Sequence, residues 1–295
     1  MAAGGQGVNR ILPILTVVLI IVALWYAAAV RLNSAWVYDQ AARAGTPEPG
    51  FSELVALTMN QDRPVLPTPH QVVAELEKTT LGLPVTSKKS LVYHGWVTIS
   101  ATLLGFVMGT GLGILLAVGI IFNKAMDQSV MPWAIASQTI PILAIAPMII
   151  VVLNSVGVTG LIPKAIISAF LSFFPVLVGM VKGLRSPDAM QLDLLRTYSA
   201  SNGQTLRLLR LPSSVPYLFT SLKVGIAASL VGAIVGEMPT GAVAGLGARL
   251  LSGSYYGQTV QIWAALFAAA MVAAGLVTLI GYIERVTLKR MGLAR

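Results

Sequence analysis

Cysteine is absent from this 295-residue chain, histidine occurs twice, and charged residues make up only 11% of it. Without cysteine there is no disulfide framework, no thiol nucleophile and no cysteine-based metal site. His70 and His94 are too few and too far apart in sequence to argue for a metal, and they read as ordinary loop histidines. The G-x-x-x-x-G-K-[ST] pattern is also missing, so the chain has no P-loop of its own with which to hydrolyse ATP. A soluble domain would carry about a quarter charged residues, and this scarcity speaks against one. The net charge of +9 suggests nucleic acid at first sight. The basic residues, however, flank apolar segments instead of gathering in one soluble domain, so nucleic acid is not expected as a partner.

What the chain has in abundance is apolar length: 56% of residues are hydrophobic and the mean hydropathy is +0.79. A membrane-spanning helix needs about 20 mainly apolar residues, and six stretches qualify: 11–30, 96–121, 130–153, 157–181, 216–236 and 259–283. The expected architecture is an all-α integral membrane protein with six transmembrane helices. Its expected parts are an anchor helix at 1–30, an extracytoplasmic segment with short amphipathic helices at 31–95, and a five-helix core at 96–290. With the N-terminus inside, the inner segments hold eleven Lys/Arg against four acids, and the outer ones seven against seven. The positive-inside bias therefore places both termini in the cytoplasm. Arg10, the apolar run and the Ala-Ala-Ala-Val at 27–30 also resemble a signal peptide. The run is as long as a full span, which favours a retained anchor. Lys164 and Lys223 lie near span ends, where each can snorkel to the interface.

Inside the spans a few residues stand out. Gly105, Gly109, Gly111 and Gly113 give the second span small-xxx-small spacing, which suits close helix packing. The third contains Pro141 and Pro147, each expected to kink the helix, with Ser137, Gln138 and Thr139 just before the first. Polar groups at a broken helix either line a transport path or bond to a neighbouring helix. Gln138, Thr139 and Pro141 are the candidate path-lining residues, together with Glu237. That glutamate either marks the end of the fifth span or faces an outer cavity. Pro175 adds a further expected bend. No proposed span has an ionisable group at its centre, which disfavours an ion-coupled carrier.

The inner loop 183–215 is the longest. Ser186-Pro187-Asp188 reads as a helix start with Ser186 as N-cap. Leu195, Tyr198, Leu206 and Leu209 suggest an apolar face, with Arg196, Arg207 and Arg210 on its polar flanks. Two readings fit: a basic loop lying on anionic headgroups, or a short helix docking into a soluble partner's groove.

This loop resembles the E-A-A-x-x-x-G signature of binding-protein-dependent ABC importer permeases. Asp193, Leu194 and Leu195 fall at the E-A-A positions and Ser199 falls where glycine is usual. Ala200 and Ser201 match the continuation, and Leu211 and Pro212 match the Leu-Pro end. The resemblance runs from about residue 65 to 290. It includes VLPTPHQVV at 65–73, TLLGF at 102–106, QTIPILAIAP at 138–147 and AGLGARL at 244–250, each similar to the nitrate/sulfonate/taurine-type branch. LRLPSSVPYLFTSLK and GAIVGE are closer to riboflavin and thiamine-precursor members.

The resemblance implies a type I permease fold and a non-catalytic membrane subunit of the bacterial inner membrane. It also implies a second copy of the permease, two ATP-binding cassette subunits that bind ATP and magnesium, and an extracytoplasmic solute-binding protein. No cofactor is implied for this chain itself. Asp193, Leu194, Leu195, Tyr198, Ser199, Ala200, Leu206, Arg207, Arg210 and Pro212 would form the ATPase-coupling loop. Serine tolerates the positive φ of the usual glycine only at a cost, so the bend is expected to move to Asn202-Gly203. An ion-coupled secondary transporter, or a membrane anchor or signalling protein, is the alternative. Neither explains the ordered prolines together with the loop.

Overall fold

The computed structural model describes residues 5–239 and 243–293, with side chains from residue 12 onward; Arg295, counted above among the inner charges, lies outside them. Every regular element among the described residues is helical. That is what lipid demands of a chain that cannot close a barrel, because a helix satisfies its backbone groups within one segment. In order, the helices are α1 (Gly5–Ala44), α2 (Phe51–Met59), α3 (Pro69–Thr80), α4 (Leu91–Phe122), α5 (Lys124–Ser137), α6 (Ile142–Ser155), α7 (Leu161–Leu184), α8 (Ala189–Thr197), α9 (Asn202–Thr205), α10 (Leu211–Glu237), α11 (Leu246–Tyr255) and α12 (Thr259–Arg290). Five segments are long and apolar enough to cross a membrane: Leu12–Ala44, Leu91–Phe122, Leu161–Leu184, Asn202–Glu237 and Thr259–Arg290.

The third expected span is not one helix. α5 and α6 meet at a bend of 100°. Pro141 caps α6 in an extended conformation (φ −60°, ψ 122°), whereas Pro147 stays inside that helix and breaks nothing. Pro175 likewise remains inside α7. The surrounding contacts set the two ends of the bent pair against opposite ends of α7. At the start of α5, Asp127 accepts from Arg185, just beyond the end of α7, at 2.8 Å. At the far end, Ala146 and Ile150 of α6 pack on Ile167, near the start of α7. α7 has 24 residues, about 36 Å of helix, long enough to cross a bilayer. α5 and α6 together run back along that length, and counted as one broken span they bring the candidate spans to six.

Two compact units divide the chain. One contains the residues up to Leu91 together with Arg249–Phe267. In it α1 continues unbroken past residue 30 to Ala44. Asn33, fully buried, donates to the carbonyls of Thr58 and Leu66 and accepts from the amides of Val65 and Leu66. A buried amide with all its valences filled fixes the 58–66 stretch against α1. Trp25 stacks on Phe267, meets Trp263 at a 43° tilt and donates to the Pro67 carbonyl at 2.9 Å.

The second unit spans Val92–Ala248 and the residues from Ala268 on, and α7 is its centre. Ala117 and Ile120 of α4 and Ala134 of α5 join Phe173, Val176, Leu177, Met180 and Leu184 of α7 in one buried cluster. The glycine stripe of α4 lies against α7, as its spacing suggests. A Cβ on Gly109 would stand 2.8 Å from the Ala169 carbonyl oxygen, and one on Gly113 2.7 Å from that of Phe173. Gly111 points elsewhere, with nothing within 4 Å. Ser168 donates to the Ser229 carbonyl and Ser229 to that of Thr102, stitching α7, α10 and α4 together. Lys223 does not snorkel: its ammonium pairs with Glu284 of α12.

Candidate functional site

The loop between α7 and α10 is a capped helix followed by a tight reversal. α8 starts two residues later than the sequence suggests. Asp188 is its N-cap, and its amide donates to Gln191 Oε1 at 3.2 Å. Ser186 instead closes the end of α7 by donating to the Gly183 carbonyl at 2.7 Å. At the other end of α8, Ser199 has φ 53°, the one non-glycine residue with positive φ among those described. Its amide donates to the Arg196 carbonyl at 2.8 Å and that of Ala200 to the Leu195 carbonyl at 2.9 Å. This paired set is the Schellman ending of a helix.

The bend therefore stays at Ser199 and does not move to Asn202-Gly203. Those two residues open α9, because Ser201 already caps it: Gln204 N donates to Ser201 Oγ at 3.3 Å and Ser201 N to Gln204 Oε1 at 2.7 Å. From Asn202 the chain is helical through to Glu237. Residues 206–210 form a wider turn in which the Leu211 amide reaches back to the Leu206 carbonyl. Pro212 sits just inside α10, and widening the turn relieves the contact its ring would make with the preceding carbonyls.

The candidate residues of this loop divide into two sets. Leu206 packs on the cluster around Met180 and Leu184, and Arg210 donates to the Leu184 carbonyl at 2.7 Å. Both tie the loop down from below. Leu195, Leu209, Ala200 and Pro212 are half-buried. Facing outward are Leu194 (57% exposed) and Tyr198 (75%) with Met190 (83%), at i, i+4 and i+8 on one face of α8. Arg207 and Leu208 are exposed beside them, and Asp193 pairs with Arg196 at 2.9 Å in the open, a pair worth little by itself. Met190 and Leu208 escape the sequence reading, although the four-residue spacing from Met190 to Leu194 to Tyr198 signals the first.

Gln138, Thr139 and Pro141 come together at the α5–α6 elbow. Thr139 Oγ1 donates to the Ala136 carbonyl at 2.7 Å and Gln138 Nε2 to Ser137 Oγ at 3.2 Å, so both are held locally. Glu237 belongs to a different constellation. It is fully buried, and its carboxylate accepts from Thr98 Oγ1 at 2.9 and 3.0 Å and from the Gly247 amide at 2.8 Å. The Leu246 amide donates to Thr98 Oγ1 and that of Gly245 to His94 Nδ1, each at 2.9 Å. Three successive amides at the start of α11 are thus held by side chains. Gly245 has φ 125°, a conformation open in practice to glycine alone. Glu237 thereby joins the Gly247 amide to Thr98 of α4. His94 is a buried residue of α4, not a loop histidine; its signal was polarity inside an apolar span. Among the described residues, no group of three or more His, Asp or Glu is placed to hold a metal ion.

Residues 109–292 match the family described as the binding-protein-dependent transport system inner membrane component. The riboflavin transport system permease protein of Chloroflexus aurantiacus is 31% identical over 196 residues, 66% of this chain and 71% of its own length. The formylaminopyrimidine transport permease protein of Halalkalibacterium halodurans is 31% identical over 183 residues, 62% and 68% of the two chains. A putative aliphatic sulfonates transport permease of Bacillus subtilis is 25% identical over 225 residues, 76% and 78%. Such subunits are non-catalytic, and ATP hydrolysis belongs to a separate partner. The chain is a multi-pass protein of the bacterial inner membrane and belongs to the binding-protein-dependent transport system inner membrane components, as a permease subunit of an ABC importer for a small solute.

Proposed function

We propose that α8 is the surface through which an ATP-binding cassette subunit drives this permease. The observation that carries the reading is the exposed stripe Met190–Leu194–Tyr198 on a helix capped at both ends. A helix presenting apolar anchors at four-residue intervals suits a groove on a soluble partner. Within the loop, Leu194 and Tyr198 make the contact, Asp193, Arg196 and Arg207 form its charged rim, and Ser199 and Ala200 set its ending. Leu195, Leu206, Arg210 and Pro212 hold it to the core. Both termini face the cytoplasm, on the same side as this loop. Two copies of the chain form the pathway, each with an ATPase subunit that supplies the ATP and magnesium sites, and the chain carries no cofactor. A solute-binding protein delivers the cargo from outside. Gln138, Thr139 and Pro141 border the path at the elbow, and Glu237 governs the outer segment. The named cargoes of two relatives, riboflavin and formylaminopyrimidine, support a vitamin-like or pyrimidine solute.

Co-purification in mild detergent tests the docking. Leu194→Asp with Tyr198→Asp is expected to lose the ATPase subunits while the permease still inserts and remains folded, because both side chains project from the protein. Association at the wild-type level would refute the assignment of this surface. Uptake of labelled pyrimidine and flavin compounds by cells with and without the intact chain tests the cargo.

A further inference from the structure

The paired helices α7 and α10 leave a groove of about 440 Å³ along one side of their contact, and its lining includes Val178 and Lys182 of α7 and Tyr217, Thr220, Ser221 and Val224 of α10. The two helices run in opposite directions through it. Lys182, two residues before the end of α7, therefore meets Tyr217, near the start of α10, and its Nζ stands 5.9 Å from the centre of the tyrosine ring. Neither the Lys182 ammonium nor the Tyr217 hydroxyl makes an ion pair or hydrogen bond with a described residue. Neighbouring cations are engaged: Arg185 pairs with Asp127 and Arg210 donates to the Leu184 carbonyl. No acidic side chain lines the groove.

Away from this mouth the character changes. Thr220 Oγ1 donates to the Pro216 carbonyl at 3.0 Å and Ser221 Oγ to the Leu218 carbonyl at 2.8 Å, so both hydroxyls are turned back onto α10. What remains is the apolar surface of Val178 (40% exposed) and Val224 (55%). From Tyr217 to Val224 the groove runs about 10 Å into the membrane-spanning stretch. A polar solute moving along it would leave water and find no free donor or acceptor beyond the mouth, which is costly. An amphiphile with an anionic head and an apolar tail matches the groove along its whole length.

We infer that this groove holds an anionic phospholipid of the inner leaflet. Its phosphate accepts from the Lys182 ammonium and the Tyr217 hydroxyl, and an acyl chain lies on Val178 and Val224. The inference rests on the orientation of the importer reading, which places this end of α7 and the α8 loop in the cytoplasm. Basic pockets between helices on that side are suited to anionic headgroups, and an ammonium offers three donors to phosphate oxygens. One lipid then touches both helices that flank the α8 loop.

The test uses the complete transporter, purified in mild detergent, stripped of lipid and titrated with phosphatidylglycerol under native mass spectrometry. Wild type is expected to retain one phosphatidylglycerol per copy of this chain at concentrations where phosphatidylcholine with the same acyl chains does not bind. Lys182→Gln should weaken that binding about fivefold, and Lys182→Arg should keep most of it. Val178→Trp with Val224→Trp fills the apolar part and leaves the lysine in place; it should abolish retention while the ATPase subunits stay associated. Equal binding of the two lipids, or wild-type affinity in Lys182→Gln, overturns the assignment and leaves the importer reading standing. Displacement of the lipid by an equal concentration of inorganic phosphate shows a free-phosphate site and overturns it. So does binding of labelled flavin or pyrimidine that the tryptophan pair blocks while phosphatidylglycerol is retained, which makes the groove part of the solute path. Disulfide formation between Val178→Cys residues of two copies would place a second copy over the groove and overturn it as well.

Discussion

Replacing Ser199 with glycine should tighten the end of α8. An L-residue in the left-handed region costs about 1–2 kcal/mol, and Ser199 bears that cost at φ 53°. Glycine removes it but loses more backbone freedom on folding, roughly 0.5–1 kcal/mol. The balance favours Ser199→Gly by about 0.5–1 kcal/mol. The amides of Ser199 and Ala200 close the ending by donating to the carbonyls of Arg196 and Leu195, so their hydrogen exchange reports its opening. At tenfold per 1.4 kcal/mol, exchange in a peptide covering 195–204 should slow about two- to fivefold. Ser199→Val should act oppositely and more strongly, because a β-branched residue resists positive φ. Unchanged or faster exchange in the glycine variant would show that the bend is not at Ser199.

Three further outcomes follow from other contacts. Glu237→Leu strips the Gly247 amide and Thr98 hydroxyl of their acceptor; the cost should be about 1–3 kcal/mol per stranded group, read as a lowered Tm in detergent, with Glu237→Gln much milder. Gly109→Leu drives a side chain into the Ala169 backbone and should cost about 1–3 kcal/mol by overpacking, whereas Gly111→Leu, with open space around it, should leave Tm unchanged. Lys223→Met leaves the partly buried Glu284 without its partner, which should cost less than the about 3–5 kcal/mol of a fully buried pair; adding Glu284→Leu should recover most of the lost thermal stability.

The crossings were legible in the sequence because hydropathy over 20 residues is a long-range signal that few local details disturb. The glycine stripe was legible for a related reason: its four-residue spacing states which face packs. What escaped were the features decided by competition between neighbours. Pro141 and Pro147 look alike in sequence, yet only Pro141 takes the extended conformation that breaks the helix. Ser199 was expected to shed its bend to Asn202-Gly203. Ser201 and Gln204 cap a new helix there, and that helix competes for the same residues. That Leu206 and Arg210 turn toward α7 was not legible, because periodicity measured on a short loop cannot say which side a neighbouring helix occupies. The bonding of Glu237 with Thr98 and the Gly247 amide was beyond reach. Thr98 lies 139 positions away, and an isolated threonine in an apolar span carries no mark of its partner.

The packing of α7 against α10 has a mechanical consequence. Gly179 lies against Ser221, Gly183 against Ser214 and Gly232 against Ser168, where a Cβ on Gly232 would come within 2.7 Å of the Ser168 backbone. Two rods in such close register cannot slide past one another without lifting apart, so they behave as a stiff two-tined fork with α8 as its handle. Along their paired stretch neither tine is broken, and the nearest break in a helix is the α5–α6 elbow, outside the fork. If α8 is the docking surface, a displacement there is expected to travel along the fork toward its far ends, about 36 Å away. At those ends stand Lys164, bonded to the Ala244 carbonyl, and Glu237, bonded to the Gly247 amide.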